Sequence, residues 1–373
     1  MTIRLNYRLL FLLVLLAGFA VSEVALELRP SVLRPGLHLF AYVGNTGDGT
    51  ITAIDLVKLS PVATILVGPS PTAVRANPSR KEIWGLSSSG GYAWVLDSPS
   101  DRVVAHIPIG AAPSALDFSP DGAHAYVSAA KSNTLIEIDC ASRKIVAKAV
   151  VGREPSAIRV SPDGKRILVS NRGDSTISVF DAASLTLQGV VPVAPDPGRI
   201  AILPDGSKAF IASTAKDEIS VVDLKNLALL TNLSLGGAPN DLILKPDGGE
   251  LYVPSGDAHG LLVVNTQTNE VGDFLLLGMS PMAGALSADG ATLYATDSAA
   301  GHIVPVAIGI RQVARPIAIG QSPVTADLTP GGDILAVVDT ASDDLAVIRT
   351  QTSSLITLIP TGPNPRSLAI KVF

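Results

Sequence analysis

One spacing governs this chain. Prolines stand at 71, 113, 155, 197, 239, 281, 323 and 365, always 42 residues apart. Three residues before them come Gly68, Gly110, Gly152, Ala194, Gly236, Gly278, Gly320 and Gly362. A strict period of this length means that each unit is one supersecondary element stacked on the next. A second comb, Ser-Pro-Asp-Gly, occurs at 119–122 and 161–164 and recurs in altered form at 203–206, 245–248, 287–290 and 329–332. A third runs through Tyr42, Trp84, Tyr126, Leu168, Phe210, Tyr252, Tyr294 and Ala336. A fourth ends an apolar run with Asp55, Asp97, Asp139, Asp181, Asp223 and Asn265, and lapses at Ala307 and Arg349.

Each unit contains four short β-rich runs separated by turn formers. In one unit they cover 114–118, 124–128, 134–138 and 144–151, named A, B, C and D in order. Asp and Gly at the intervening positions favour turns through local hydrogen bonds and positive φ. Beyond the first residues no long 3.6-residue apolar stripe occurs, so helices should be few. Four strands per unit, repeated at this period, predict an all-β fold, a β-propeller of four-stranded antiparallel blades. The chain supplies B, C and D runs at 40–44, 50–54 and 63–67 before the first A run, and a lone A run at 366–372 after the last D. Residues 38–373 therefore make eight units, the C-terminal A strand closing the ring and leaving no open edge. A seven-bladed ring with the first strands packed outside is the alternative.

Composition removes several chemistries. One cysteine, Cys140, excludes an internal disulfide, a Cys-x-x-Cys-His haem attachment and any multi-cysteine metal cage. A net charge of −5 speaks against a nucleic-acid partner, which needs a basic face. Mean hydropathy of +0.39 with 16% charged residues excludes a disordered chain. Residues 1–22 read as a signal peptide: Arg4 and Arg8 precede an apolar run at 9–20, and Ala20-Val21-Ser22 offers a cleavage site. Residues 23–37 read as a linker with Pro30, Pro35 and Gly36, and 38–373 as the propeller. A periplasmic or secreted protein is expected, with no membrane span after cleavage, no lipoprotein cysteine and a monomeric state. An uncleaved N-terminal membrane anchor is the alternative.

The units resemble the YVTN-type β-propeller repeat family. The likeness rests on Tyr42-Val43-Gly44-Asn45, Leu168-Val169-Ser170-Asn171, Ile177-Ser178-Val179-Phe180-Asp181 and Ile219-Ser220-Val221-Val222-Asp223, with the Gly-x-x-Pro and Pro-Asp-Gly combs. The Gly-His and Trp-Asp signature of WD40 repeats is missing. Propellers of this kind include lactonase-like enzymes, amine-dehydrogenase subunits of quinoproteins and haem d1-binding propellers, and a fold does not choose among them.

Candidate site residues follow from topology. The B–C and D–A loops share one face, where the units differ most and where binding groups usually sit. Arg172 lies in one B–C loop, His259 in another, and His302 follows on the next blade. The resemblance implies that A strands line the central channel. Four places after the comb proline stand Arg75, Asp117, Arg159 and Asp327; two places after it stand Arg199 and Asp241; directly after the last stands Arg366. Alternating charges on adjacent blades can be structural ion pairs. Asp327 lacks an acid or base at its level on either neighbour, and in an eight-bladed ring it would face Arg159 across the channel. Arg159 and Arg366 are the expected anchors for an anion, since guanidinium forks suit carboxylate and phosphate.

No Gly-x-Ser-x-Gly elbow, His-Glu-x-x-His or phosphate loop occurs. His259 and His302 with Asp257 or Asp297 do not form a recognised zinc pattern, so neither a metal nor a cofactor is expected. Three readings remain. The first is a non-catalytic exported propeller that binds a small molecule, polymer or protein through its loop face and channel mouth. The second is a lactonase-like hydrolase using Arg172, Arg199, His259 and nearby acids. The third is a haem d1 or quinoprotein-associated propeller.

Overall fold

Six-residue apolar runs closed by Asp-Gly turns cannot bury both faces alone, and here they do so by stacking. The computed structural model describes residues 38–373; the expected signal peptide and linker lie outside the described residues. Eight antiparallel sheets follow one another around a ring. In the second blade A is Pro71–Ala76, B is Glu82–Ser87, C is Tyr92–Asp97 and D is Arg102–Pro108. Blades 3 to 8 repeat this order from the A strands that begin at or shortly after Pro113, Pro155, Pro197, Pro239, Pro281 and Pro323. Blade 1 is composite: Pro365–Val372 supplies A, and Leu39–Asn45, Thr50–Asp55 and Ser60–Leu66 supply B, C and D. The register runs from Leu39 opposite Val372 to Gly44 opposite Ser367. The ring thus has eight blades, not the seven of the alternative.

B and C strands are sandwiched between neighbouring blades, and every residue of Glu82–Ser87 is buried. Strands covered on both faces read as continuous apolar runs, which is why the comb residues are large and apolar. Trp84 of blade 2 meets Phe118 of blade 3 edge to face, with ring centroids 5.8 Å apart. Their cluster also takes in Val95, Val127 and Ile136, so the core is a series of interblade layers. D strands form the outer wall and alternate, as in Lys144–Val150.

The combs have separate jobs. Asp121 accepts Ser119 Oγ at 2.6 Å and the Ala123 amide at 3.0 Å, and Gly122 follows at φ +69°, a conformation that suits glycine. In the C–D turns Asp55, Asp139 and Asp181 accept amides two or three residues ahead. Where this comb lapses at Ala307, a 3-10 turn at Ile308–Ile310 takes its place and the D strand splits into Gln312–Val313 and Ile317–Ala318. Among the described residues no helix is long and apolar enough to cross a membrane.

Candidate functional site

The A strands of adjacent blades pack side by side around the channel. Residues just before the comb prolines, including Ser70, Ala112, Glu154, Asp196, Ser322 and Asn364, hold left-handed backbone with φ between 51° and 57°. This sharp entry sets the first A-strand residues at the lip of the channel, on the B–C and D–A face. A belt of hydrogen bonds then ties several of these lips to the next blade. Ser114 Oγ donates to the Pro155 carbonyl at 2.6 Å, Ser156 Oγ to Pro197 at 2.7 Å and Asn240 Nδ2 to Pro281 at 2.9 Å. Where Gly198 offers no side chain, Arg199 Nε donates to the Asn240 carbonyl at 3.1 Å.

Inside this belt lies a cavity of about 480 Å³. Arg75, Arg159, Arg199 and Arg366 line it with one carboxylate, Asp241, and with Leu116, Ile158, Leu242 and Leu368 among its apolar wall. Arg199 pairs with Asp241 at 3.2 Å. Asp117 stands behind the lining, buried, and its Oδ2 accepts the Val160 amide at 3.0 Å. Its two oxygens lie 3.9 Å from Arg75 and from Arg159, so one acid is shared by two guanidinium groups at the limit of pairing. Arg366 donates through Nε to Asn364 Oδ1 at 3.2 Å and, among the described residues, has no acid partner.

The electrostatics follow from that crowding. Burial pulls the Arg75 guanidinium below its ordinary value; Arg159 and Arg199 act the same way, against Asp117 and Asp327. Asp327 keeps exposed surface but is crowded by surrounding protein, and that desolvation raises its carboxyl. The Leu328 amide and the charge of Arg75, two blades away, oppose the rise.

The other candidates do not converge on the cavity. Arg172 pairs at 2.6 Å with Asp196 of the adjoining D–A loop, while its sequence neighbour Asp174 is held by Arg153. His259 is an exposed loop tip whose Nδ1 lies 2.6 Å from the Met279 carbonyl. His302 begins a C strand opposite Asp297. Among the described residues no three His, Cys, Asp or Glu side chains are grouped to hold a metal ion. Nor does the cavity lining contain a His, Cys, Met or Tyr, the side chains that ligate haem iron, so these residues do not fit an axially held haem. Cys140 is buried, which pushes its thiol up to about 12 and leaves it unreactive.

Sequence reasoning missed a second feature of this face. In blade 8 the last B residue, Asp339, lies opposite the first C residue, Asp344, and both are buried. The comb of last B residues carried the signal, as it reads Asn45, Ser87, Ala129, Asn171, Ser213, Ser255, Asp297 and Asp339.

The sequence profile of the family described as "Lactonase, 7-bladed beta-propeller" matches residues 92–235. No curated protein sequence matches the chain. Among solved structures, a dihydro-haem d1 dehydrogenase, NirN, in complex with DHE has a TM-score of 0.74 at 16% identity, covering 88% of this chain and 74% of that one. The hydrazine synthase of Kuenenia stuttgartiensis has a TM-score of 0.62 at 19% identity, covering 78% of this chain and 98% of that one. A functionally unknown protein from Desulfotomaculum acetoxidans gives 0.62 at 16% identity, with 89% and 98% covered. At such identities the structural likeness speaks for the fold alone. The chain is thus an eight-bladed β-propeller that over residues 92–235 is similar to a lactonase family whose description has seven blades.

Proposed function

We propose that the protein is an exported, non-catalytic propeller whose channel mouth binds a small anionic ligand. The observation that carries this reading is the imbalance of the cavity lining: four guanidinium groups against one carboxylate. Arg159 and Arg366 are the anchors. Arg159 shares an acid with Arg75 at the limit of pairing, Arg366 has none among the described residues, and both keep donor capacity for a carboxylate or phosphate. The serine and asparagine belt holds the lip rigid, so little ordering is needed on binding. Larger partners, a polymer or a protein, would meet the same face through the surrounding loops.

The test is calorimetric titration of the purified protein with inorganic phosphate and with a short hydroxycarboxylate. Arg159→Gln with Arg366→Gln is expected to abolish binding and to leave the circular dichroism spectrum unchanged. Normal binding by the double variant would make these charges structural.

The lactonase reading is favoured by one observation, the family match over residues 92–235. Of its three named side chains only Arg199 lines the cavity. General acid–base catalysis needs its groups within reach of one substrate atom, and Arg172 and His259 are engaged elsewhere. Lactone opening by the purified protein that is lost in Arg199→Gln would favour the hydrolase.

A further inference from the structure

Asp339 and Asp344 face each other across the B–C hairpin of blade 8 in direct register. Asp339 has no exposed surface and Asp344 is 9% exposed. Asp339 Oδ2 accepts the Gly320 amide at 3.1 Å, but among the described residues Oδ1 of each is buried without a partner. Two carboxylates cannot satisfy one another, since neither can donate. One proton between them supplies the missing donor, while two buried negative charges in contact are strongly unfavourable. The blade 7 counterpart, Asp297, differs because it accepts the amides of Met279 and Ser280.

The groups around the pair leave the proton as its remedy. Asp344, from the C strand, faces Asp339 and its charge acts on that carboxyl at close range. The D–A segment brings Gly320, an amide donor, and the hydroxyl oxygen of Ser342 in the loop accepts the Gln321 amide. Asp343, at the loop tip, accepts the Asn364 amide. Among the described residues no basic side chain pairs with Asp339 or Asp344.

The same loop fixes one side of the channel mouth. Thr340 Oγ1 donates to the Pro365 carbonyl at 2.7 Å, and Asp343 receives the amides of Asn364 at 2.7 Å and Thr361 at 2.9 Å. Asn364 Oδ1 in turn holds Arg366. We propose that Asp339 and Asp344 share one proton and act as a proton-dependent latch, holding the blade 8 B–C loop against the segment that carries Arg366. Its bearing on ligand binding rests on the reading of Arg366 as an anchor; the latch itself does not.

Burial, and then Asp344, raise the Asp339 carboxyl to about 8. A carboxyl raised in the folded state stabilises the fold fully below its ordinary range, and that contribution is lost as pH climbs through the raised value. When the proton leaves to bulk water, two carboxylates remain and the loop is pushed off the lip.

Hydrogen exchange tests this without any ligand, reading Thr361 and Asn364 against Val193, the amide equivalent to Thr361 in blade 4, bonded to Ser175. In the wild type, protection of Thr361 and Asn364 relative to Val193 is expected to fall as pH rises from 6 to 9, by up to about tenfold per pH unit. In Asp339→Asn it should stay level. Equal pH dependence in wild type and variant would overturn the latch. Should Asp339→Asn fail to fold, infrared spectroscopy of the wild type at pH 7 decides instead: the latch requires a protonated-acid carbonyl band that disappears in Asp344→Asn. Absence of that band would refute it. So would protection restored at pH 9 by added calcium, which would place a cation where the proton is proposed. Failure of the wild type to bind phosphate would count against Arg366 as an anchor and leave these readouts intact.

Discussion

Tyr42, near the start of the described chain, lies directly opposite Ala369, near its end, in one antiparallel ladder. The ring therefore closes within a blade, by backbone hydrogen bonds, and not between two finished blades. Deleting residues 365–373 removes this strand and exposes the edge of Leu39–Asn45. A loss of several kcal/mol is expected, from burial and from hydrogen bonds of about 1 kcal/mol each. Thermal unfolding of the truncated protein checks this, and unchanged melting would contradict closure by this strand.

Two ionic ties on opposite sides of the ring carry the same geometry. Glu82 takes Arg143 at 2.8 Å and the Trp84 indole N–H at 3.0 Å; four units on, Glu250 takes Arg311 and the Tyr252 hydroxyl. Each ties the start of a B strand to the C–D turn of the next blade. Burial alone would raise the Glu250 carboxyl, but the hydrogen bonds from Arg311 and Tyr252 win and hold it below its ordinary value. A depressed carboxyl stabilises the fold above its ordinary range and loses that contribution as pH falls through the lowered value. Glu250→Gln should therefore destabilise by about 1–2 kcal/mol at pH 7 and by much less at pH 3. Urea unfolding at the two pH values measures the difference.

Equivalent turns differ in their tolerance of a side chain. Gly122 and Gly206 both sit at φ +69°. A Cβ on Gly122 would meet Asn77 Oδ1 and Ser79 Oγ at 2.6 Å, whereas one on Gly206 meets nothing within 4 Å. Gly206→Ala is expected to cost about 1 kcal/mol for the left-handed backbone alone, and Gly122→Ala clearly more. Equal melting temperatures for the two variants would mean that the blade 2 turn gives way freely.

Much of the fold was legible because its causes are local and repeated. Turn chemistry like that at Asp121-Gly122 recurs in most units and apolar B runs such as Glu82–Ser87 in all of them, so strand order and blade count follow from counting. The channel charges were legible too, since Arg75, Asp117 and Arg159 occupy one level of adjacent A strands. Loop pairings were not. Arg172 stands beside Asp174 in sequence, yet the neighbouring D–A loop brings Asp196 to it and Arg153 to Asp174. Such partners depend on how blades dock, which a period along one strand does not encode. The Asp339–Asp344 contact needed the hairpin register.

Asp117 restrains both Arg75 and Arg159. Asp117→Asn removes that charge while keeping an acceptor for the Val160 amide. Phosphate affinity of the channel mouth is expected to rise severalfold at low ionic strength, and the gain should shrink with added salt as screening sets in. Weaker binding would mean that Asp117 orients the guanidinium groups more than it neutralises them.

An anion held at the channel mouth can be revealed directly by an anomalous scatterer. Crystals of the protein soaked briefly in bromide and measured at the bromine edge would locate it. An anomalous peak is expected within the cavity, in contact with Arg159 or Arg366, and is lost when both are replaced by Gln. Bromide found only on outer surface arginines, with the cavity free of anomalous density, would contradict it.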